Sequence, residues 1–379
     1  MHFKSYFSIL IIVVFFFACV EPFPLNFGSQ GNILFVEANL NDTDTKQIIA
    51  LKTNLPSNSG INYLGVEGAI VEVIENESEV IPAKEGEFGN YLLPDDFKIK
   101  LNTNYRLKFT LKNGKKYESA LENIGEAPEI DQVFSIFKKG GIPHKNKVLD
   151  GHEIYLNTKD DLNVKNYYFW QWKLYEKQNY CVSCDGGRYF TNPLPLGRCV
   201  EDANLKRRGV FYDYLCNKDC WDIIYNEEVN IMSDAFSNGE LIKDRLIAKI
   251  PFFQFKSSLI EIQQFAIPKS AFDYFNLIIA QSQNNGSLAD TPPAGLIGNV
   301  KNTEDPFENV GGIFLVSSKK VKRFWIEREN IETSLPPFGL LGGRLVSPEP
   351  SGNDLTRPPM APCIDDKNRT SIKPLGWIN

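Results

Sequence analysis

Tyr105, Leu107, Phe109 and Leu111 alternate with the polar Arg106, Lys108 and Thr110, and Asn113-Gly114 and the run Lys115–Ala120 follow at once. Successive strand side chains point to opposite faces, so this period marks a half-buried strand, and Asn-Gly tolerates the positive φ angles of a tight hairpin turn. Such a chain has to build antiparallel sheet. The same period recurs where Ala69, Val71 and Val73 alternate with Ile70, Glu72 and Ile74. Ile33–Val36 opens the series, and Phe88-Gly89-Asn90-Tyr91-Leu92, closed by Pro94-Asp95-Asp96, adds a further strand. With no helical period between them, residues 32–125 are expected to form an N-terminal β-sandwich of immunoglobulin-like or transthyretin-like type.

A chain of 379 residues has room for two domains. Glu126-Ala127-Pro128 reads as the connector, and residues 128–332 as a second β-rich domain with strands at Val133–Phe137, His152–Asn157 and Tyr167–Tyr175. One amphipathic helix is expected within it. Ile267-Pro268-Lys269-Ser270 opens it with proline in the permissive first turn, and Phe272, Phe275, Ile278 and Ile279 share a face up to Asn284-Asn285-Gly286. Strands resume at Leu296–Val300, Gly312–Ser317 and Val321–Ile326. The tail, 333–379, should be extended and irregular: 8 of the 22 prolines fall after residue 335.

The fold class expected is therefore mainly β. The 27 Phe, 15 Tyr and 5 Trp against three Met imply a rigid, aromatic core. Within the aromatic strand, Tyr168, Trp170 and Trp172 are the candidates for stacking a ligand. The competing reading is that alternation sends half of this strand into a core, and it is the stronger one.

The first eighteen residues read MHFKSYFSILIIVVFFFA, with basic Lys4 and an apolar run from Phe7 to Ala18 ahead of Cys19. About twelve apolar residues are too short to span a bilayer and match the core of a signal peptide. Ala18 before Cys19 fits a lipoprotein cleavage site, so Cys19 is expected to be acylated. Two or three acyl chains, at roughly 0.8 kcal/mol per buried methylene, would hold the protein on a membrane. Residues 19–31, with Pro22, Pro24, Gly28 and Gly31, read as the lipidated linker.

Six further cysteines remain: Cys181, Cys184, Cys199, Cys216, Cys220 and Cys363. Five lie in the insertion 179–221. CxxC and CxxxC spacings would suggest zinc in a cytosolic protein. An exported protein folds in an oxidising compartment, which favours three disulfides with fifteen pairings open. No metal is expected at these cysteines.

Catalytic constellations are hard to assemble. After the leader only His144 and His152 remain, in neither HExxH nor any paired setting, and GxSxG, P-loop and GxGxxG motifs are absent. The pairs Asp95-Asp96, Asp160-Asp161, Glu227-Glu228 and Asp365-Asp366 could supply glycosidase carboxylates, but adjacent acids in turns are usually solvated. Asn41-Asp42-Thr43-Asp44 offers oxygen ligands for a weakly held calcium, without the glycine and bidentate glutamate of an EF-hand; a turn is the stronger reading. The net charge of −6 argues against a nucleic-acid partner.

Several stretches together resemble the Bacteroidota lipoproteins catalogued as domain of unknown function 4249. They are Cys19-Val20-Glu21-Pro22-Phe23, Val66–Val73, Asn166–Trp170, Ile267-Pro268 through Tyr274-Phe275, Asn285-Gly286-Ser287-Leu288 through Ile297-Gly298-Asn299-Val300, Gly311-Gly312-Ile313-Phe314, and Cys363 through Pro374-Leu375-Gly376-Trp377. That family often carries a second C-terminal cysteine where this chain has Asp366, which implies a long-range bridge from Cys363. The resemblance implies an outer-membrane lipoprotein, facing the cell surface, encoded beside TonB-dependent β-barrel transporters of the SusC type. The expected role is that of a non-enzymatic partner subunit, capturing ligand or capping the barrel, with no cofactor beyond the acyl groups. The alternative is an accessory structural subunit of an outer-membrane assembly or secretion complex, docked through the tail.

Overall fold

The computed structural model describes residues 33–378 except 45, 58–59, 163–164, 192–196, 284–295 and 351–358. The leader, Cys19, the linker and the expected helix end at 284–286 lie outside the described residues. None of the described helices is long and apolar enough to cross a membrane.

The first part of the body is built from β1 (Leu34–Asn41), β2 (Ile48–Ser57), β3 (Gly60–Gly65), β4 (Ile70–Glu75), β5 (Glu79–Glu85), β6 (Asn90–Leu92), β7 (Asn104–Thr110), β8 (Lys116–Ser119) and β9 (Glu122–Asn123). The Asn113-Gly114 turn joins β7 to β8 as expected, with Gly114 at φ 89°. Val71, Val73, Tyr105, Leu107 and Phe109 all point inward, and Phe109 stacks on Tyr117 with ring centroids 4.8 Å apart. Phe88 departs from expectation. It sits at φ 55° in a turn, 77% exposed, and the strand starts only at Asn90. The reason is a close backbone crossing: a Cβ on Gly65 would lie 2.2 Å from the Phe88 carbonyl carbon.

The chain continues through β10 (Ile130–His144), β11 (Lys147–Lys159) and β12 (Tyr167–Lys177). A small cysteine-rich lobe follows, with β13 (Tyr180–Asp185), β14 (Gly187–Phe190), β15 (Arg198–Glu201), α1 (Ala203–Arg207) and β16 (Phe211–Leu215). Beyond it come β17 (Trp221–Tyr225), β18 (Asn230–Ser233), β19 (Leu241–Pro251), β20 (Ser258–Ala266), α2 (Lys269–Ser282), β21 (Val300–Asn302), β22 (Val310–Ile326) and β23 (Arg369–Thr370). The fold is mainly β.

Two short strands were expected at 312–317 and 321–326, because Ser318-Lys319-Lys320 interrupts the apolar pattern. The chain instead forms one continuous strand of 17 residues, β22. The interruption is solvated by protein: Ser318 Oγ donates to Asp42, Asp42 also accepts the Lys319 N–H, and Lys319 pairs with Asp44. Lys320 lies 2.7 Å from Glu126 and 2.8 Å from Glu129. The Asn41–Asp44 stretch is thus a turn whose carboxylates face this strand.

β22 pairs in parallel with β1 through its first half and antiparallel with β20 through its second. The main sheet therefore runs without a break from β8 and β7 through β2, β1, β22 and β20 to β12 and β17. The connector Glu126-Ala127-Pro128 falls between β9 and β10, where Ala127 is buried and donates its N–H to Ser318 Oγ. From Leu34 onward the chain forms one compact unit. β10, β11 and β19 form a separate three-stranded sheet with β19 at its edge.

The tail is irregular, as its prolines imply, and it is tied down. Phe338 and Leu340 pack on the core beneath β12, Arg344 pairs with Asp213, and Trp377 meets Trp221 and Trp325 edge-on. All six cysteines are paired: Cys181–Cys216, Cys184–Cys199 and Cys220–Cys363. The last closes 143 residues of chain and fixes the tail to the base of the cysteine-rich lobe. Cys181, Cys216 and Cys220 sulfurs lie within 4.8 Å of one another because two bridges adjoin, and as disulfides they offer no thiolates to a metal.

Candidate functional site

β12 places its aromatic residues on two faces, and both are covered. Tyr167 and Phe169 face α2, where Phe169 stacks on Phe275 at 4.7 Å. Tyr168 and Trp170 point the other way into a second core with Ile154, Leu156, Ile250 and Ile260. Trp170 is closed in: its indole N–H donates to Gln264 at 2.9 Å and Arg245 lies over its ring at 5.0 Å. The Tyr168 hydroxyl bonds Asp160, and burial together with that carboxylate raises its pKa. Of the three stacking candidates, Tyr168 and Trp170 are core residues.

Trp172, one step further along this face, is only half-buried. Between β17 and β18 the chain leaves β12, and the loop Asn226–Val229 stands away from the strand. The Asn226 side chain accepts the Trp172 N–H at 3.1 Å and fixes where the loop departs. Beneath the loop lies an open cleft of about 480 Å³, walled by Trp172, the edge of Trp170, Phe253 and six successive residues of β19, Leu246–Pro251. That volume lies within the usual range for small-molecule and cofactor pockets. Its rim carries His144, Asn230, Glu227 and Glu228.

The rim residues differ in state. Glu227 and Glu228 are exposed, and among the described residues neither side chain has an ion-pair partner. His144 packs edge-on against Phe338 at 4.8 Å, and burial, with Lys145 nearby, lowers its pKa. The other histidine, His152, is remote from this chemistry. It is sealed against Phe137 and Phe252, neither ring nitrogen has a hydrogen-bond partner among the described residues, and its pKa is pushed down to about 4 by burial and by Arg328. Arg328 is itself fully buried and paired with Glu176 at 2.7 Å.

Of the remaining carboxylate pairs, Asp95-Asp96 is exposed and Asp160 is spent on Asn166, Tyr168 and the Gly239 N–H. Asp365 accepts from Ser371. Glu227-Glu228 alone borders the cleft. Sequence reasoning passed over β19 because Asp244 at φ 52° and a register shift near Ile247 break its alternation.

Fold and site together define a mainly β protein, stapled by three disulfides, with an open aromatic cleft. The chain belongs to the family described as a domain of unknown function (DUF4249), which it matches over residues 20–323. No curated protein and no solved structure gives a significant match.

Proposed function

We propose that this chain is an outer-membrane lipoprotein, anchored through acylated Cys19 and facing the cell surface. It serves there as the non-enzymatic partner of a TonB-dependent, SusC-type β-barrel transporter, capturing ligand in the Trp172 cleft or capping the barrel. The observation that carries ligand capture is the cleft itself: Trp172 lines it beside Glu227 and Glu228, carboxylates without an ion-pair partner among the described residues. The leader, with Cys19 after Ala18, and the family resemblance support the setting. The reading is non-enzymatic because, among the described residues, His144 makes no hydrogen bond to Glu227 or Glu228 on the rim, and His152 is shut away from solvent.

A second reading, an accessory subunit of an assembly or secretion complex, is favoured by one observation. The otherwise anchored tail exposes apolar side chains at Leu345, Ile372 and Leu375. Purification of the full-length lipoprotein in detergent, with mass spectrometry of what accompanies it, separates the two. A stoichiometric TonB-dependent barrel supports the transport reading. A set of insertion or secretion components moves the protein to the second, and an empty purification counts against both.

A further inference from the structure

The wall of the cleft has a property that side-chain chemistry does not capture. Strand side chains alternate between faces, so a cavity lying over one face of a sheet meets every second residue. This cleft meets Leu246, Ile247, Ala248, Lys249, Ile250 and Pro251 in succession, so it runs along the edge of β19. β19 pairs with β11 on one side only and ends its sheet on the other.

The ladder says which backbone groups are open. The Phe252 N–H donates to the Asp150 carbonyl, and the register pairs His152 with Ile250 and Ile154 with Ala248. Alternation along an antiparallel ladder then turns the N–H and C=O of Lys249 toward the cleft. At the upstream end the Leu246 carbonyl is capped by Asn230 Nδ2 at 3.0 Å. Just downstream, the tail's Phe338 and Gly339 N–H groups bond the carbonyls of Phe252 and Phe253. A segment of the protein's own tail thus already lies against the backbone where the open edge stops. Of these six residues Ile247, Ala248, Ile250 and Pro251 are buried and Pro251 has no N–H, so the exposed Lys249, with N–H and C=O both turned outward, is the anchor of the edge.

Charge selects the occupant. Lys249 stands opposite Glu153 across the ladder, and Glu153 also pairs with Lys138 at 3.4 Å. Among the described residues neither Glu227 nor Glu228 has an ion-pair partner, and an aromatic ring such as that of Trp172 attracts a cation to its face.

We propose that the cleft takes an extended, basic peptide segment, added as a strand to the open edge of β19, with a Lys or Arg side chain held between Glu227, Glu228 and Trp172. Main-chain hydrogen bonds would supply affinity and the charged rim specificity, as in other cases of strand addition. This proposal rests on the ligand-capture reading and names its ligand class.

The test is titration calorimetry on the full-length lipoprotein in detergent. The probes are decapeptides of alternating Lys and Val, the same peptides with Glu for Lys, and maltoheptaose. The Lys peptide should bind, and the double variant Glu227→Gln, Glu228→Gln should weaken it by about tenfold. Two further Lys peptides, N-methylated on the odd or on the even amides, read the backbone. One set should lose binding by at least about tenfold and the other should keep it. Equal behaviour of the two sets, preference for the Glu peptide or the glycan, or no binding of the Lys peptide each overturns the proposal. Copurification of a barrel with a lipoprotein that ignores the Lys peptide would overturn it too, while leaving the transport reading intact.

Discussion

The side-chain amide of Asn299 grips the backbone of Phe314 from both ends, accepting its N–H through Oδ1 at 2.9 Å and donating Nδ2 to its carbonyl at 2.7 Å. Nδ2 also reaches Glu122 at 2.6 Å. Next to it, a Cβ on Gly298 would lie 1.6 Å from the Gly312 carbonyl oxygen, so the two glycine-bearing stretches touch backbone to backbone. These are the stretches that carry the family resemblance most specifically, and their work is to hold β21 against β22.

Asn299→Ala should therefore destabilise the fold by about 2–3 kcal/mol, since it strands two buried backbone groups of Phe314 and a partner of Glu122. Urea denaturation would register this as a lower midpoint with an unchanged slope. An unchanged midpoint would mean that water replaces the amide.

Trp170 and Trp172 should separate cleanly. Trp170→Ala removes a closed-in indole and takes the donor from Gln264 Oε1, costing about 3–5 kcal/mol of stability. Trp172→Ala should leave the melting temperature within a few degrees and reduce ligand affinity. Loss of folding in the Trp172 variant would make that residue core as well.

Acid should weaken the protein through His152. Its pKa is about 4 in the fold against an ordinary 6.5, so the unfolded chain binds the proton more readily. The stability it contributes is complete above pH 6.5 and falls as the pH drops toward 4, by about 2 kcal/mol at pH 5 and roughly 3 kcal/mol below pH 4. Chemical denaturation at pH 7.5 and pH 5 should show the difference, and His152→Phe should remove most of it. A variant with the same acid sensitivity would place the titrating group elsewhere.

Replacing both Cys220 and Cys363 by serine should cost about 5 kcal/mol, as expected for releasing a loop of 143 residues. Both must go, because a lone Cys220 thiol would sit within 4.8 Å of the Cys181–Cys216 sulfurs and could exchange with them. Limited proteolysis should then cut the tail after Phe338 while the β12 strand stays protected. Unaltered protection would mean that the Trp377 contacts alone hold the tail.

What could be read in the sequence was what neighbours in the sequence decide. The Asn113-Gly114 hairpin, the Val71-Val73 alternation and the helix opening at Pro268 are local, and the structure has each where its residues imply. The sequence suggests two strands in place of β22, because the partners that bury Ser318 and Lys319 lie some 190 and 275 residues away. The pairing of Cys220 with Cys363 is set by the path of the tail, which no spacing encodes. Among the cleft residues, Trp172 stands out in the sequence with Tyr168 and Trp170 as part of one aromatic run. What distinguishes it is the departure of a loop more than fifty residues later in the chain.

The parallel pairing of β1 with β22 also fixes an order of events. Leu34 lies opposite Val310, so β1, the first of the described strands, has no neighbour on one side until some 276 further residues have been made. Contacts between such distant residues slow folding and leave an edge exposed meanwhile. Until β22 is made, the open edge of β1 is a template on which a second copy of the chain can pair, so interrupted synthesis favours aggregation over folding.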